Sequence, residues 1–173
     1  FMMTLELNIL DWIQTLHTSA GDFFMIFITN LGNKGFIWVV LAIFLLIFPK
    51  TRRTGIAVTF ALILELILCN GLLKPLVGRT RPFDINTDVA LLIHPPADFS
   101  FPSGHTASSF AAASALCFAK SRLRFPALIL AALIAFSRLY LYVHFPSDVL
   151  AGILLGILTG AAGTLLSRRV IPS

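Results

Sequence analysis

Charged residues are scarce in this chain. Of its 173 residues only 12% are Asp, Glu, Lys or Arg, and 57% are hydrophobic. Soluble domains carry roughly 25% charged residues, so the shortage excludes an ordinary water-soluble domain of this size. The composition predicts an all-α fold, a polytopic bundle of membrane helices, because a helix satisfies its own backbone polar groups inside lipid.

Cysteine and metal-binding residues are scarce as well. The two cysteines, Cys69 and Cys117, lie in apolar runs, which is typical of small core residues and not of a disulfide or metal site. The sequence has no cluster of carboxylates suited to Mg²⁺, and we expect no metal and no cofactor. It also lacks internal repeats and linkers, so we expect one membrane domain over residues 1–173.

The sequence has no concentrated basic patch either. Its net charge of +5 comes from short basic groups that lie between apolar runs. This distribution is better explained by membrane topology than by nucleic acid. We therefore expect membrane lipids, and no nucleic acid, as partners.

Six apolar runs predict six transmembrane helices. They cover residues 23–31, 36–48, 54–73, 106–119, 125–143 and 149–166. The first run is short against the roughly 20 residues that a span needs, so five spans remain the alternative. Before them, residues 5–16 predict an N-terminal interfacial helix and not a cleaved signal, because they include Glu6 and Asp11 and no basic stretch. Phe1, which precedes Met2, is not expected to be the native start.

The basic groups orient these spans. Three groups fall on one side of a six-span bundle: Lys50, Arg52 and Arg53; Lys120, Arg122 and Arg124; Arg168 and Arg169. The positive-inside rule makes that side cytoplasmic. The long polar loop 74–103 then faces the extracytoplasmic side of what we expect to be a bacterial plasma membrane, with a short helix predicted near residues 89–93.

Three polar clusters fall at the outer ends of successive helices. They are KPLVGRTRP (74–82), PSGH (102–105) and SRLYLYVHFPSD (137–148). Alternating helix directions bring these ends together in a small bundle. The ionisable residues at this depth indicate a functional site, because charge inside a membrane is costly.

The chemistry of the clusters converges on an anion. Lys74, Arg81 and Arg138 supply fixed positive charge, and a guanidinium fork suits phosphate oxygens. Ser103 and Gly104 begin a helix, and free amides at a helix N-terminus bind anions.

Two histidines and an aspartate add reactivity to this anion site. His144 and Asp148 are four residues apart, so the carboxylate can accept a ring N–H while the other ring nitrogen attacks phosphorus. His105 comes from a different helix and is placed to protonate the departing oxygen.

Together the clusters resemble the three-part signature of the type-2 phosphatidic acid phosphatase family. The matching positions are K-x6-RP (Lys74, Arg81, Pro82), PSGH (Pro102 to His105) and SR-x5-H-x3-D (Ser137, Arg138, His144, Asp148). The resemblance implies a metal-independent integral-membrane phosphatase in which His144 becomes phosphorylated, Asp148 orients it and His105 is the general acid. Phosphate would be held by Lys74, Arg81 and Arg138 with Ser103 and Gly104.

We expect a lipid phosphatase with a laterally open site. The orientation and brevity of the chain favour undecaprenyl diphosphate as substrate, with phosphatidylglycerophosphate or phosphatidate as the alternative. A lipid-phosphate binder or transporter without hydrolysis is the hypothesis from another class, and phosphoryl transfer to another lipid also remains open. Arg79 is interpreted as a headgroup or loop contact, and Glu65 as a structural acid.

Overall fold

The computed structural model describes residues 2–170, without the side chain of Met2, and all regular secondary structure in that range is helical. The expectation about Phe1 lies outside this range. The helices are α1 (Met2–Gln14), α2 (Ser19–Leu31), α3 (Phe36–Ile47), α4 (Arg52–Leu66), α5 (Lys74–Val77), α6 (Pro82–Ile85), α7 (Gly104–Phe118), α8 (Arg124–Tyr140) and α9 (Pro146–Val170). A 3-10 turn (Asn33–Gly35) precedes α3, and a π-helical turn (Ile67–Leu73) joins α4 to α5. The predicted all-α class is confirmed.

Two helical runs, Arg52–Ile85 and α9, are each long and apolar enough to cross a bilayer. Helix α2 and the run Asn33–Ile47 meet that requirement only as a pair, and the pair is bent by 46°. Lys34 (φ 52°) and Gly35 (φ 67°) adopt left-handed backbone conformations at the bend. The chain is a helical membrane protein in which the first two predicted spans join through this bend.

Helix α9 packs closely on α7 through glycines spaced by four residues. These are Gly152, Gly156 and Gly160. A Cβ atom at Gly156 would lie 2.7 Å from the carbonyl oxygen of Ala107 and 2.8 Å from the amide nitrogen of Ala111. Small residues of this kind let membrane helices approach until their backbones touch. The contact fixes the start of α7 against the start of α9.

Helix α1 covers the end of the bundle where α8 stops and α9 begins. Leu10 packs with Tyr142 and Phe145, and Ile13 packs with Tyr140. The helix forms where the sequence predicts an interfacial helix. It lies at the same end of the bundle as the loop between α5 and α7.

That loop contains a short helix in a different place from the predicted one. The helix predicted near 89–93 is wrong, since those residues form bends without helical bonding. A helix there would need amide donors from the following turn, where Pro95 and Pro96 have none. The short helix is α6, which begins at Pro82 because proline suits the first helical position.

We expect Gly156→Ala to lower the free energy of unfolding by about 1–3 kcal/mol, because the added methyl group would overlap the α7 backbone. Gly71→Ala is the matched control, since a Cβ at Gly71 would have no heavy atom within 4 Å. Thermal unfolding in detergent should show a fall of several degrees for Gly156→Ala. Equal midpoints for the two variants would contradict the proposed close packing.

Candidate active site

The three predicted clusters meet at one cavity of about 1220 Å³. Of the predicted site residues, six line it: Lys74, Arg81, Gly104, His105, Arg138 and His144. Ser103 and Asp148 lie directly behind these residues and are fully buried. The structure therefore brings together all eight residues that the sequence singles out.

His144 and Asp148 lie side by side between α8 and α9. His144 ends the turn that follows α8, and Asp148 is in the first turn of α9. The distance from His144 Nδ1 to Asp148 Oδ2 is 3.6 Å, longer than a hydrogen bond. Asp148 Oδ2 instead accepts from Ser100 Oγ at 2.5 Å and from the Phe145 amide at 2.9 Å. The carboxylate is thus fixed beside the ring, and within residues 2–170 His144 Nδ1 has no hydrogen-bond partner.

The environment of His144 favours its neutral form. Burial lowers the pKa of His144, and the charges of Arg81 and Arg138 lower it further, while Asp148 acts in the opposite direction. Arg81 Nη1 lies 3.3 Å from His144 Nε2. A neutral imidazole keeps a lone pair on one ring nitrogen, which a nucleophile requires.

Lys74 and Arg81 share one carboxylate, that of Asp98. Arg81 Nη2 donates to Asp98 Oδ1 at 2.6 Å, and Lys74 Nζ donates to Asp98 Oδ2. Partial burial opposes ionisation of Asp98, but the hydrogen bonds and charges of Lys74 and Arg81 outweigh it and lower the pKa of Asp98 to about 2. Asp98 is therefore ionised at neutral pH.

Arg138 and His105 are held by residues of the bent segment. Arg138 Nη1 donates to Thr29 Oγ1 of α2, while Arg138 Nε is buried and has no partner among the residues that the structure describes. His105 Nε2 lies 2.9 Å from Asn33 Oδ1. The bend between α2 and α3 thus supplies one wall of the site.

Ser103 and Gly104 begin α7, as the sequence predicts. Ser103 Oγ caps the helix by accepting from the Thr106 amide at 3.5 Å, and the Ser103 amide donates to the Asp148 carbonyl at 3.1 Å. A Cβ on Gly104 would lie 3.5 Å from Asn70 Oδ1, an ordinary contact. The missing side chain at Gly104 leaves the start of α7 open to the cavity.

Arg79, interpreted from the sequence as a headgroup or loop contact, contacts the carboxylate of Asp148. Arg79 Nη1 donates to Asp148 Oδ1 and to Ser147 Oγ, each at 2.6 Å. Arg79 Nη2 donates to Glu6 Oε2 at 2.6 Å, and Glu6 Oε1 accepts from the Ser147 amide at 2.9 Å. Helix α1 is thereby connected to the carboxylate beside His144.

Sequence reasoning missed the partners of the predicted residues. They are Glu6, Thr29, Asn33, Arg79, Asp98 and Ser100. A signal existed for Glu6, because Glu6, Leu10 and Ile13 follow a helical spacing and all three are buried. Asp98 and Ser100 lie in an irregular loop, where no periodicity indicates which side chains point inward.

The chain is similar in sequence to known phosphatases. The chain is 34% identical over 133 residues to an undecaprenyl-diphosphatase of Sulfolobus acidocaldarius, covering 76% of this chain and 64% of that protein. It is 32% identical over 144 residues to the undecaprenyl-diphosphatase BcrC of Bacillus subtilis, covering 83% of this chain and 74% of that protein. The chain thus spans less than two thirds of the Sulfolobus protein.

A solved structure and a family profile agree with these relatives. The crystal structure of a PAP2-type phosphatidylglycerolphosphate phosphatase from Bacillus subtilis has a TM-score of 0.80 and 26% identity, covering 99% of this chain and 88% of that chain. The model of the PAP2 superfamily matches residues 54–171, which include all three motifs. The chain belongs to the PAP2 superfamily, the family of type-2 phosphatidic acid phosphatases that its motifs resemble.

Proposed function

We propose that the chain acts, as one membrane domain, as a lipid phosphatase that removes the terminal phosphate of a lipid phosphate or diphosphate. The observation that carries the proposal is the cavity in which His105 and His144 stand among Lys74, Arg81 and Arg138. Arg138 Nε is buried at this cavity and has no partner in the described part of the chain, as expected of a group whose partner is an anionic ligand.

The proposed reaction has two steps. His144 attacks the terminal phosphorus, and the bond from phosphorus to the departing oxygen breaks as His105 protonates that oxygen. Water then attacks the phosphohistidine with His105 as base, which releases phosphate and restores His144. Asp148 accepts the Nδ1 proton of His144 in a hydrogen bond and stabilises the positive ring, after closing the present gap of 3.6 Å.

Positive charge from the protein stabilises the transition state in this mechanism. Lys74, Arg81 and Arg138 would contact the phosphate oxygens, and the amides at Ser103 and Gly104 would add hydrogen bonds. These groups perform the charge stabilisation that a metal ion performs in other phosphatases, so we propose a metal-independent reaction.

The shape of the cavity supports a lipid substrate. From the polar residues it continues between α3 and α4, where most of its lining is apolar. The lining residues there are Val39, Ala42, Ile43, Leu46, Leu62, Ile63 and Leu66, together with Thr59 and Glu65. Val39, Ile43, Ile63 and Leu66 are also exposed on the outside of the bundle. A hydrocarbon chain could remain in this groove and in the bilayer while its phosphate reaches His144.

We favour undecaprenyl diphosphate as the substrate. The relatives named as undecaprenyl-diphosphatases support it. Phosphatidylglycerophosphate or phosphatidate is the alternative, and the Bacillus structure supports the first of these two. A lipid-phosphate transporter would need the cations but not the His144–Asp148 pair, so these two residues favour hydrolysis. Phosphoryl transfer to a second lipid would need an acceptor other than water.

We expect His144→Ala to lower phosphate release at least about 10³-fold, because the mechanism has no other nucleophile. The control is Arg122→Ala, since Arg122 is exposed and does not line the cavity. Phosphate release is measured in detergent with EDTA, on undecaprenyl diphosphate, phosphatidylglycerophosphate and phosphatidate.

The wild-type chain should be fastest on undecaprenyl diphosphate and should keep its rate in EDTA. A normal rate for His144→Ala would remove the proposed nucleophile, and loss of activity in EDTA would remove the metal-free mechanism. A higher rate on phosphatidylglycerophosphate would favour the alternative substrate.

We also propose that the chain crosses the membrane five times, with its site on the extracytoplasmic face of a bacterial plasma membrane. The bent pair of α2 and α3 would make one crossing, followed by α4, α7, α8 and α9. The contact from Glu6 to Arg79 supports this count, because it holds α1 at the site end of the bundle. Six crossings would place α1 on the opposite face.

Cysteine labelling from outside the cell should reach Asn8→Cys and Asp88→Cys but not Arg122→Cys. Each substitution is made in a chain whose native Cys69 and Cys117 are replaced by serine. Labelling of Asp88→Cys without Asn8→Cys would favour six crossings. Labelling of Arg122→Cys alone would place the site in the cytoplasm.

A further inference from the structure

We propose that Arg79 and Glu6 are positioning residues for the reaction, acting through Asp148. This rests on the proposed function, since it assigns them a role only if Asp148 serves His144. It also makes α1 part of the catalytic machinery, because Glu6 belongs to that helix.

The hydrogen bonds divide the two oxygens of Asp148 between different partners. Arg79 Nη1 binds Oδ1 at 2.6 Å, whereas Oδ2 faces His144. The Ser100 hydroxyl and the Phe145 amide both bind Oδ2. With Oδ1 held by a charged donor, the carboxylate cannot rotate its second oxygen away from the histidine ring.

Arg79 itself is fixed on three sides. Glu6 Oε2 accepts from Arg79 Nη2, Ser147 Oγ accepts from Nη1, and the guanidinium lies 4.1 Å from the centre of the Phe145 ring. Two carboxylates around one guanidinium give Glu6, Arg79 and Asp148 a net charge of −1. His144 therefore faces the same net charge as it would beside a lone carboxylate, but the carboxylate of Asp148 is held in one orientation.

Arg79 does not line the cavity that holds His144, although it lines an adjoining cavity of about 810 Å³ together with Arg81 and Asp98. Its loss should therefore lower kcat and leave KM nearly unchanged, whereas loss of a phosphate ligand would raise KM. Lysine cannot replace it fully, because an ammonium lacks the planar fork that reaches Glu6 and Asp148 from separate nitrogens.

We expect Arg79→Gln to lower kcat about 10–100-fold, by analogy with the outer partners of metal-binding histidines, with KM within about twofold. The kcat of Arg79→Lys should lie between those of Arg79→Gln and wild type. Glu6→Gln should lower kcat less than Arg79→Gln does. Arg122→Gln is the matched control, because Arg122 is exposed. The measurement is steady-state hydrolysis in detergent, with thermal unfolding to establish that each variant is folded.

The guanidinium ion provides a second readout. Added at millimolar concentration, it should restore part of the kcat of Arg79→Ala and leave His144→Ala inactive. A wild-type kcat for Arg79→Gln, or a raised KM at unchanged kcat, would overturn the positioning role. If the wild-type chain is folded but hydrolyses no lipid phosphate, the proposed function fails as well.

A separate observation concerns Asp98, and from it we infer that this carboxylate is an internal competitor for phosphate. Its two oxygens bind Arg81 and Lys74, and its backbone carbonyl accepts from Arg81 Nε at 2.8 Å. Two anionic oxygens bridging two cations reproduce part of the contact that a phosphate would make.

The position of Asp98 suits displacement. Its side chain is 56% exposed, while those of Lys74 and Arg81 are 8% and 3% exposed. Two residues further on, Ser100 is buried and bonded to Asp148, which anchors the loop. Rotation of the Asp98 side chain therefore frees Lys74 and Arg81 to bind phosphate, while Ser100 stays bonded to Asp148. Phosphate left by the reaction would be displaced in the same way.

We expect Asp98→Asn to bind inorganic phosphate about tenfold more tightly than wild type, because a charged competitor is lost. Asp88→Asn, the same change at an exposed position of the same loop, should leave the affinity unchanged. Titration calorimetry in detergent measures the dissociation constant, and Asp98→Ser repeats the test with a smaller side chain.

Equal or weaker phosphate binding by both Asp98 variants would overturn the competitor role. Equal tightening by Asp88→Asn would also overturn it, because the effect would then be one of net charge. If wild type and variants all fail to bind phosphate, the phosphate-binding part of the proposed function fails with it.

Discussion

The hydrogen bonds to one buried carboxylate, that of Asp148, hold together the end of the bundle that contains the site. Asp148 is wholly buried, and a buried charge without partners is too costly to retain. Its partners come from the loop after α5 (Arg79), the loop before α7 (Ser100) and the turn before α9 (the Phe145 amide). Through Arg79 the network also reaches Glu6 on α1. Four separate segments are thus fixed by the need to satisfy one side chain.

Close helix packing makes this network possible. Because Gly152 and Gly156 let α9 touch the backbone of α7, the first turns of the two helices lie together, and the Ser103 amide reaches the Asp148 carbonyl at 3.1 Å. Larger residues at these glycines would separate the turn that carries His144 from the helix that carries His105. The stripe of small residues in α9 therefore determines the geometry of the site as well as the packing of the bundle.

The sequence predicts the helical class and the eight residues at the cavity, because charges in apolar surroundings are conspicuous and successive helix ends converge. It does not predict the partners of those residues. Nothing in the sequence distinguishes Arg79 from an ordinary interfacial arginine, and its contact with Asp148 follows only from the fold of its loop. Asp98 likewise lies among prolines without periodicity. The bend at Lys34 and Gly35 depends on left-handed backbone angles. The sequence GNKG at positions 32–35 predicts only that a turn occurs there.

The distribution of polarity in the cavity limits what kind of molecule fits it. Arg138 is 3% exposed and, among residues 2–170, has no carboxylate partner, while its Nε is unbonded. The hydrogen bond to Thr29 offsets only part of the cost of burying it, and an anion in the site would offset the rest. The other end of the same cavity lies between α3 and α4 and is mostly apolar, with Thr59 and Glu65 as its polar residues. A small anion would bind Arg138 but would leave the apolar groove unfilled. A plain hydrocarbon would fill the groove but would leave Arg138 without an anion. An amphiphile with a terminal phosphate binds Arg138 and fills the groove at the same time. Because such a lipid binds only the folded chain, it should also raise the free energy of unfolding of the bundle.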